Sequence, residues 1–197
     1  MRKIAVFMFL VVFCAQNAFA DLNLKLGCNV FGNFKVSKDD SFSSYDVVTS
    51  GSILILEYLT KVSEKFKVGA GTELMMGGRV DDIELDFNYF PVVYTTVEFN
   101  PFEAAPGVFL KGNLGYNLAF SISTEDKFFD SPYGNKKGGL HFALGAGYTF
   151  PFGIIAEAVY GYYNGEYSLT DSHGAISKGI SASYTKLGIN IGYRFKI

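Results

Sequence analysis

The chain has 197 residues, 49 % hydrophobic and 17 % aromatic, with two cysteines, no tryptophan and a formal charge of −2. So mild an acidity argues against nucleic-acid binding, and no window after residue 20 reads as a membrane helix. Glycine, tyrosine and phenylalanine recur instead in alternating segments, which points to β-structure throughout.

Met1 to Ala20 reads as a cleaved signal peptide: Arg2 and Lys3 are the basic start, Ile4 to Phe13 the apolar run, and Ala18-Phe19-Ala20 the small-x-small cleavage site. The run is too short to span a bilayer of about 30 Å. Phe13 stands before Cys14 where lipoprotein processing would need a small residue. Loss of Arg2 and Lys3 takes the formal charge to −4 and leaves Cys28 as the lone thiol, read as a small apolar filler. Residues 21–197 are then one domain.

Eight strands follow. The first, about 21 to 32, carries Leu22, Leu24, Leu26, Cys28 and Val30 on one face, and a polar connection runs from Asn33 to Thr49. In the second, about 50 to 59, Ile53-Leu54-Ile55-Leu56 is apolar on both faces and Glu57 sets the parity, with Leu54, Leu56 and Tyr58 outward. A short turn, Thr60 to Lys65, leads to the third, 66 to 76, with Phe66, Val68, Ala70, Leu74 and Met76 against Lys67, Gly69, Gly71 and Glu73. After a polar connection, Gly77 to Asp86, the fourth runs from about 87 to 99, with Tyr94, Thr96 and Glu98 inward; Pro91 marks a bulge or a membrane edge, since proline cannot donate to a ladder.

The turn Asn100 to Pro106 is compact, and the fifth strand, 107 to 120, sets Val108, Leu110, Leu114, Tyr116 and Leu118 against Phe109, Lys111, Asn113, Gly115 and Asn117. A long polar loop, Ser121 to Lys137, precedes the sixth, 138 to 150, whose small inward face holds Gly145 and Gly147. Pro151-Phe152-Gly153 is a tight turn. The seventh strand, 154 to 163, turns Glu157 inward, and a last long loop, Asn164 to Ser181, leads to the eighth, in which Leu187, Ile189, Ile191, Tyr193, Phe195 and Ile197 alternate with Lys186, Gly188, Asn190, Gly192, Arg194 and Lys196.

Connections that alternate long and short between eight strands of about ten residues are the pattern of an eight-stranded antiparallel up-and-down transmembrane β-barrel. The faces argue which way it is turned. Lys25, Glu57, Lys67, Glu73, Glu98, Lys111, Glu157, Lys186 and Arg194 all fall on the glycine-rich face, five basic against four acidic, while the other face carries no charge within the strands. A charge facing lipid at the midplane costs about 2–4 kcal/mol, so the charged face is inward, the reverse of a lipocalin-like barrel. Counting outward from the turns sets Glu57 opposite Lys67, Glu98 opposite Lys111 and Tyr58 opposite Phe66, and Glu157 is the expected partner of Arg194. Outward aromatics gather at both strand ends, as expected of rings at headgroup level.

The terminal stretch resembles the C-terminal assembly signal of bacterial outer-membrane proteins, a polar residue, a glycine and two apolar positions, here Asn190, Gly192, Phe195 and Ile197. As a set, these features resemble the small outer-membrane barrels that include OmpX, NspA and the OmpA membrane domain, across the whole mature chain. That resemblance implies an address in the outer membrane, termini in the periplasm, long loops outside, and contact with lipopolysaccharide, periplasmic chaperones and the barrel assembly machinery.

Chemistry is sparse. His141 falls on the inward face, where a hydrogen bond within the polar core is expected. His173 with Asp171 and Ser172 is the one catalytic candidate, and the His-x-Ser arrangement of the family's deacylase is absent at His141-Phe142-Ala143. The loop acids Asp39, Asp40, Asp81, Asp82, Glu125, Asp126 and Asp130 match no calcium-loop spacing. No catalytic, cofactor or metal residue is therefore assigned. The expectation is a structural or surface-interaction barrel with an interior filled by polar side chains; a narrow pore gated by the Glu-Lys-Arg network and a lipid A-modifying enzyme are the alternatives.

Overall fold

The computed structural model describes residues 20–38, 41–49, 51–76, 79–80, 85–118, 121–124, 135–170 and 176–197. Eight antiparallel strands form the wall: β1 (Ala20–Lys38), β2 (Ser52–Lys61), β3 (Phe66–Met76), β4 (Leu85–Phe99), β5 (Val108–Asn117), β6 (Gly139–Thr149), β7 (Ile154–Thr170) and β8 (Ile176–Lys196). Each pairs with the next in sequence, and β8 pairs with β1, from Asp21↔Lys196 to Ser37↔Ser181, so the wall closes on itself. The ten residues of β5 rise about 34 Å, or about 25 Å once tilted as barrel strands are, the height of an apolar bilayer band.

Alternation places side chains as the parity argument expects. Leu26, Leu114, Leu144 and Ile191 lie on the outer wall and are more than half exposed, while Lys25, Glu57, Tyr94 and Lys186 are buried in the lumen. Thr72 and Thr95, polar residues on the outer wall, donate their hydroxyls to the carbonyls of Val92 (2.9 Å) and Leu114 (3.1 Å), so neither presents an unsatisfied donor. An apolar outer surface that runs round every strand far exceeds the patch of a few hundred Å² usual on a soluble monomer.

Three expectations need correction. The connections read as Asn33 to Thr49 and Asn164 to Ser181 are largely strand. β1 continues to Lys38 and pairs with Ser41–Thr49, and β7 and β8 continue pairing to Ser168↔Gly179. Beyond the bilayer both faces of a strand are wet, so the apolar-polar contrast fades while the ladder goes on. Arg79–Val80, Ser121–Thr124 and Asn135–Lys137 add further short segments at this rim.

Second, the hairpin between β2 and β3 pairs Lys61↔Lys67 and therefore Glu57↔Gly71 and Tyr58↔Ala70, not Glu57 with Lys67 or Tyr58 with Phe66. β2 runs two residues further than its polar end suggests; the shift keeps every face and changes every partner. The Phe66 ring stacks instead on Phe99 (4.7 Å between centroids). The Glu98↔Lys111 pairing stands as expected.

Third, of the two readings of Pro91 the bulge is not found toward β3, where Leu74↔Pro91 is in register. Its carbonyl accepts from Leu118 N–H at 2.9 Å, just past Val92↔Asn117, the last pair between β4 and β5. The donor it lacks thus faces the side on which the β4–β5 ladder stops.

The short turns are tight. Phe150 N–H donates to Ile154 and Gly153 N–H to Phe150, with Gly153 at φ 91°, a conformation that favours glycine. Inward glycines make room for long neighbours: a Cβ at Gly71 would lie 2.7 Å from the Tyr94 ring and 2.8 Å from Glu57 Cγ, whereas one at outward-facing Gly112 would meet only Leu144, at 3.8 Å. Gly71→Val should therefore cost about 1–3 kcal/mol by overpacking, and Gly112→Val should be neutral; urea unfolding from lipid vesicles distinguishes them.

Candidate functional site in the barrel interior

The charged residues of the lumen stack in three groups along its length. The first, near the short turns, centres on Glu98 of β4. Arg194 of β8 donates to it through Nη1 (3.1 Å) and Nη2 (2.6 Å), a two-pronged geometry that lysine cannot supply. Arg194 Nε also donates to Asn23 Oδ1 at 3.0 Å. Lys67 of β3 lies 3.4 Å from Glu98 and 2.8 Å from Asp21 of β1, which is also 3.8 Å from Arg194.

The second group, deeper in, centres on Glu57 of β2 and Glu157 of β7. Lys25 of β1 bridges them, 2.6 Å from Glu57 and 2.8 Å from Glu157. Lys111 of β5 pairs with Glu57 and lies 3.6 Å from Glu157. Tyr94 O–H (2.8 Å) and Asn23 Nδ2 (3.3 Å) also donate to Glu57, and Asn190 Nδ2 donates to Glu157 at 3.0 Å. Glycines seat these chains: a Cβ at Gly192 would strike Lys25, and one at Gly147 would strike Phe109 and Glu157.

The third group is a single pair. Glu73 of β3 accepts from Lys186 of β8 at 2.5 Å and from Tyr163 of β7 at 2.8 Å, and the Lys186 ammonium lies 5.0 Å from the Tyr163 ring centre. His141 of β6 packs between Tyr163 (4.5 Å) and Tyr94 (5.8 Å), and Tyr184 lies 5.9 Å from Tyr163. The imidazole is thus held by ring packing, not by the expected hydrogen bond to a side chain of the polar core.

Each group is neutral: two bases and two acids, two and two, one and one. The nine inward charges read from the sequence balance only when Asp21 joins them. Asp21 escaped that reading because it was taken as the residue after the cleavage site, yet it shares the parity of Asn23 and Lys25. The expected Arg194–Glu157 pair is not formed. Arg194 sits level with Asn23 and reaches across to Glu98, while Glu157 lies a layer deeper, opposite Asn190.

The interior is also less polar than expected. Phe34, Ile53, Ile55, Leu59, Met75, Val92, Phe109 and Ile155 are buried there beside the ions. Lys25 and Glu57 are each 1 % exposed, so apolar and charged side chains together close the lumen around them. Of the C-terminal residues, Asn190 is buried on Glu157, Gly192 seats Lys25, and Phe195 and Ile197 lie outward; the pair Asp21↔Lys196 ties the end of β8 to the start of β1. Asp171, Ser172, His173 and the seven loop acids lie outside the described residues. Among the described residues no group of three metal-binding side chains occurs.

Compared by sequence, the chain matches no family model and no curated protein. Solved structures do match it. The attachment invasion locus protein Ail of Yersinia pestis shares 17 % identity over 89 % of this chain and 99 % of its own, with a TM-score of 0.51. The outer membrane protein AlkL, solved by solid-state NMR in DMPC bilayers, shares 14 % over 92 % of each chain, with a TM-score of 0.59. OprG of Pseudomonas aeruginosa shares 12 % over 91 % of this chain and 95 % of its own, with a TM-score of 0.50. At such identities the likeness establishes fold: the chain has the fold of the small eight-stranded outer-membrane β-barrels, as the strand pattern and closing residues suggest.

Glu57 accepts from Lys25, Lys111, Tyr94 and Asn23 at once, which makes it the most demanding position to remove. Glu57→Ala leaves two lysines sharing Glu157, and the expected loss is about 3–5 kcal/mol in urea unfolding from vesicles. Adding Lys111→Met restores one cation per carboxylate and should recover part of that loss. Glu64→Ala, which breaks an exposed pair with Lys61 at a turn, should leave stability unchanged.

Proposed function

We propose that the protein is an integral outer-membrane barrel whose interior is closed and structural, and which meets other molecules through its outer rim. The observation that carries this reading is the neutrality of the three charge groups and the burial of the two deeper ones: each ion is matched by an opposite charge, and only Lys67 and Asp21, near the short turns, are half-buried. A passage for solutes would require several of these pairs to break together. The resemblance in pattern supports the rest: residues 1–20 removed as a signal peptide, short turns and both ends of the barrel in the periplasm, and long connections outside. In this reading Asn190, Gly192, Phe195 and Ile197 are recognised by the barrel assembly machinery after delivery by periplasmic chaperones. The outward wall meets lipid and lipopolysaccharide, and the outer connections meet an envelope component or a host surface.

Fractionation tests the location: the protein should travel with outer membranes and migrate on gels at a position that depends on heating. Recovery as a water-soluble species without detergent would refute it. Planar bilayers test the closed interior. The wild-type protein should give no discrete conductance steps, and steady channel activity that changes with Glu98→Ala or Lys111→Ala would establish the gated pore in its place.

A further inference from the structure

The geometry points to the short-turn rim as a lipid-binding surface in its own right: we propose that Phe102 and Phe152, at the tips of the β4–β5 and β6–β7 turns, insert among phospholipid headgroups and set the depth of the barrel. The inference rests on the transmembrane reading above. Both side chains are more exposed than most of the outer wall, 58 % for Phe102 and 61 % for Phe152, although each lies past the last strand pair of its hairpin. A tight turn that merely faced water would gain nothing from such a residue, since a phenylalanine ring is stabilised by leaving water.

Packing shows which way the Phe152 turn faces. Its ring stacks on Phe150 (5.6 Å, 23°), which meets Tyr148 edge-on (4.9 Å, 77°), so three rings run in sequence down the outer wall and off its end. On neighbouring β8, Tyr193 lies 4.7 Å from Phe195, and a Cβ at Gly153 would sit 3.0 Å from the Tyr193 ring. The turn is thus an extension of the lipid-facing wall. The β4–β5 turn is tied to the same sector, because Thr149 N–H donates to Gly107 at 2.8 Å.

Charge at this rim is cancelled locally. Lys61 pairs with Glu64 and Lys65 with Glu103, at 2.8 and 2.9 Å. A neutral rim with aromatic tips suits the headgroup layer, where amphipathic rings collect. The β2–β3 turn has no aromatic tip, and its Glu64 side chain is 90 % exposed, which makes this position the water-facing reference; Glu103 beside Phe102 likewise keeps its carboxylate in water, 84 % exposed, while the neighbouring ring inserts.

The absence of tryptophan makes the test direct. Phe152→Trp, Phe102→Trp, Glu64→Trp and Leu144→Trp each provide a single reporter in phosphatidylcholine vesicles, with heat-dependent gel migration as the check on folding. Leu144→Trp, at mid-wall, should be quenched by bromines deep in the acyl chains. Phe152→Trp and Phe102→Trp should be quenched by bromines near the headgroups, with iodide quenching at least halved relative to Glu64→Trp. If both tips match Glu64→Trp in iodide while Leu144→Trp stays lipid-quenched, the barrel reading stands and this inference falls. Tips shielded from iodide but untouched by lipid bromines would mean a protein covers them, which also overturns it. If Leu144→Trp is not lipid-quenched, the transmembrane reading itself fails.

Discussion

Closure of β8 onto β1 is the constraint from which the rest of the structure follows. In a bilayer no water satisfies an open strand edge, so every backbone donor and acceptor of the wall must find a strand partner. With only eight strands, closure leaves a lumen just wide enough for side chains. Long inward residues can then fit only where an adjacent strand offers glycine, as Gly71 does for Glu57 and Tyr94, and Gly192 for Lys25. Narrowness also brings charges from opposite walls within bonding distance, so a charge placed inside must be answered across the lumen as well as along the strand.

Charge in the lumen is costly to desolvate, and a well-packed apolar filling could be as stable. What charge adds is distinction between the two faces. A strand apolar on both sides carries no information about register, because a slip of one residue exchanges its faces without penalty. β2 is such a strand over Ile53 to Leu56, and Glu57 alone decides its parity. That same residue is the most connected acceptor in the barrel, held by Lys25, Lys111, Tyr94 and Asn23. A one-residue slip of β2 would put this carboxylate into lipid and strand two lysines. The Glu57 group thus sits on the strand whose apolar pattern is least decisive, where a misplaced register costs most.

This division explains what was legible in the sequence. Faces were, because period two separates lipid from lumen in the strands other than β2, where Ile53 to Leu56 is apolar on both sides and only Glu57 indicates the parity. Neighbour pairing was legible where the hairpin is short and bounded, as with Glu98 and Lys111, and failed where the true length of β2 shifted its turn. Partners across the lumen were not legible at all. Arg194 with Glu98 and Lys186 with Glu73 depend on how far strands are staggered round the closed wall, which no local pattern records. Asp21 was hidden by its place beside a cleavage motif, although its parity with Lys25 would have revealed it. The extensions of β1, β7 and β8 were hidden because pairing continues where the contrast between faces disappears.

The degree to which the interior is occupied with itself bears on where activity can reside. Glu57, Glu73, Glu98 and Glu157 each accept from two or more groups, and among the described residues every lysine and arginine buried in the lumen faces a carboxylate. Each group is shared by three or more strands or, at Glu73, pinned by a tyrosine from a third, so drawing a carboxylate out of its group disturbs several strands at once. Opening one would release charge into a space lined by Phe34, Ile53, Met75 and Val92, where it could not be solvated cheaply. In the proposed reading the middle of the barrel holds itself shut, and the two rims, at one of which strand pairing continues beyond the apolar band, are the places from which the protein acts on other molecules.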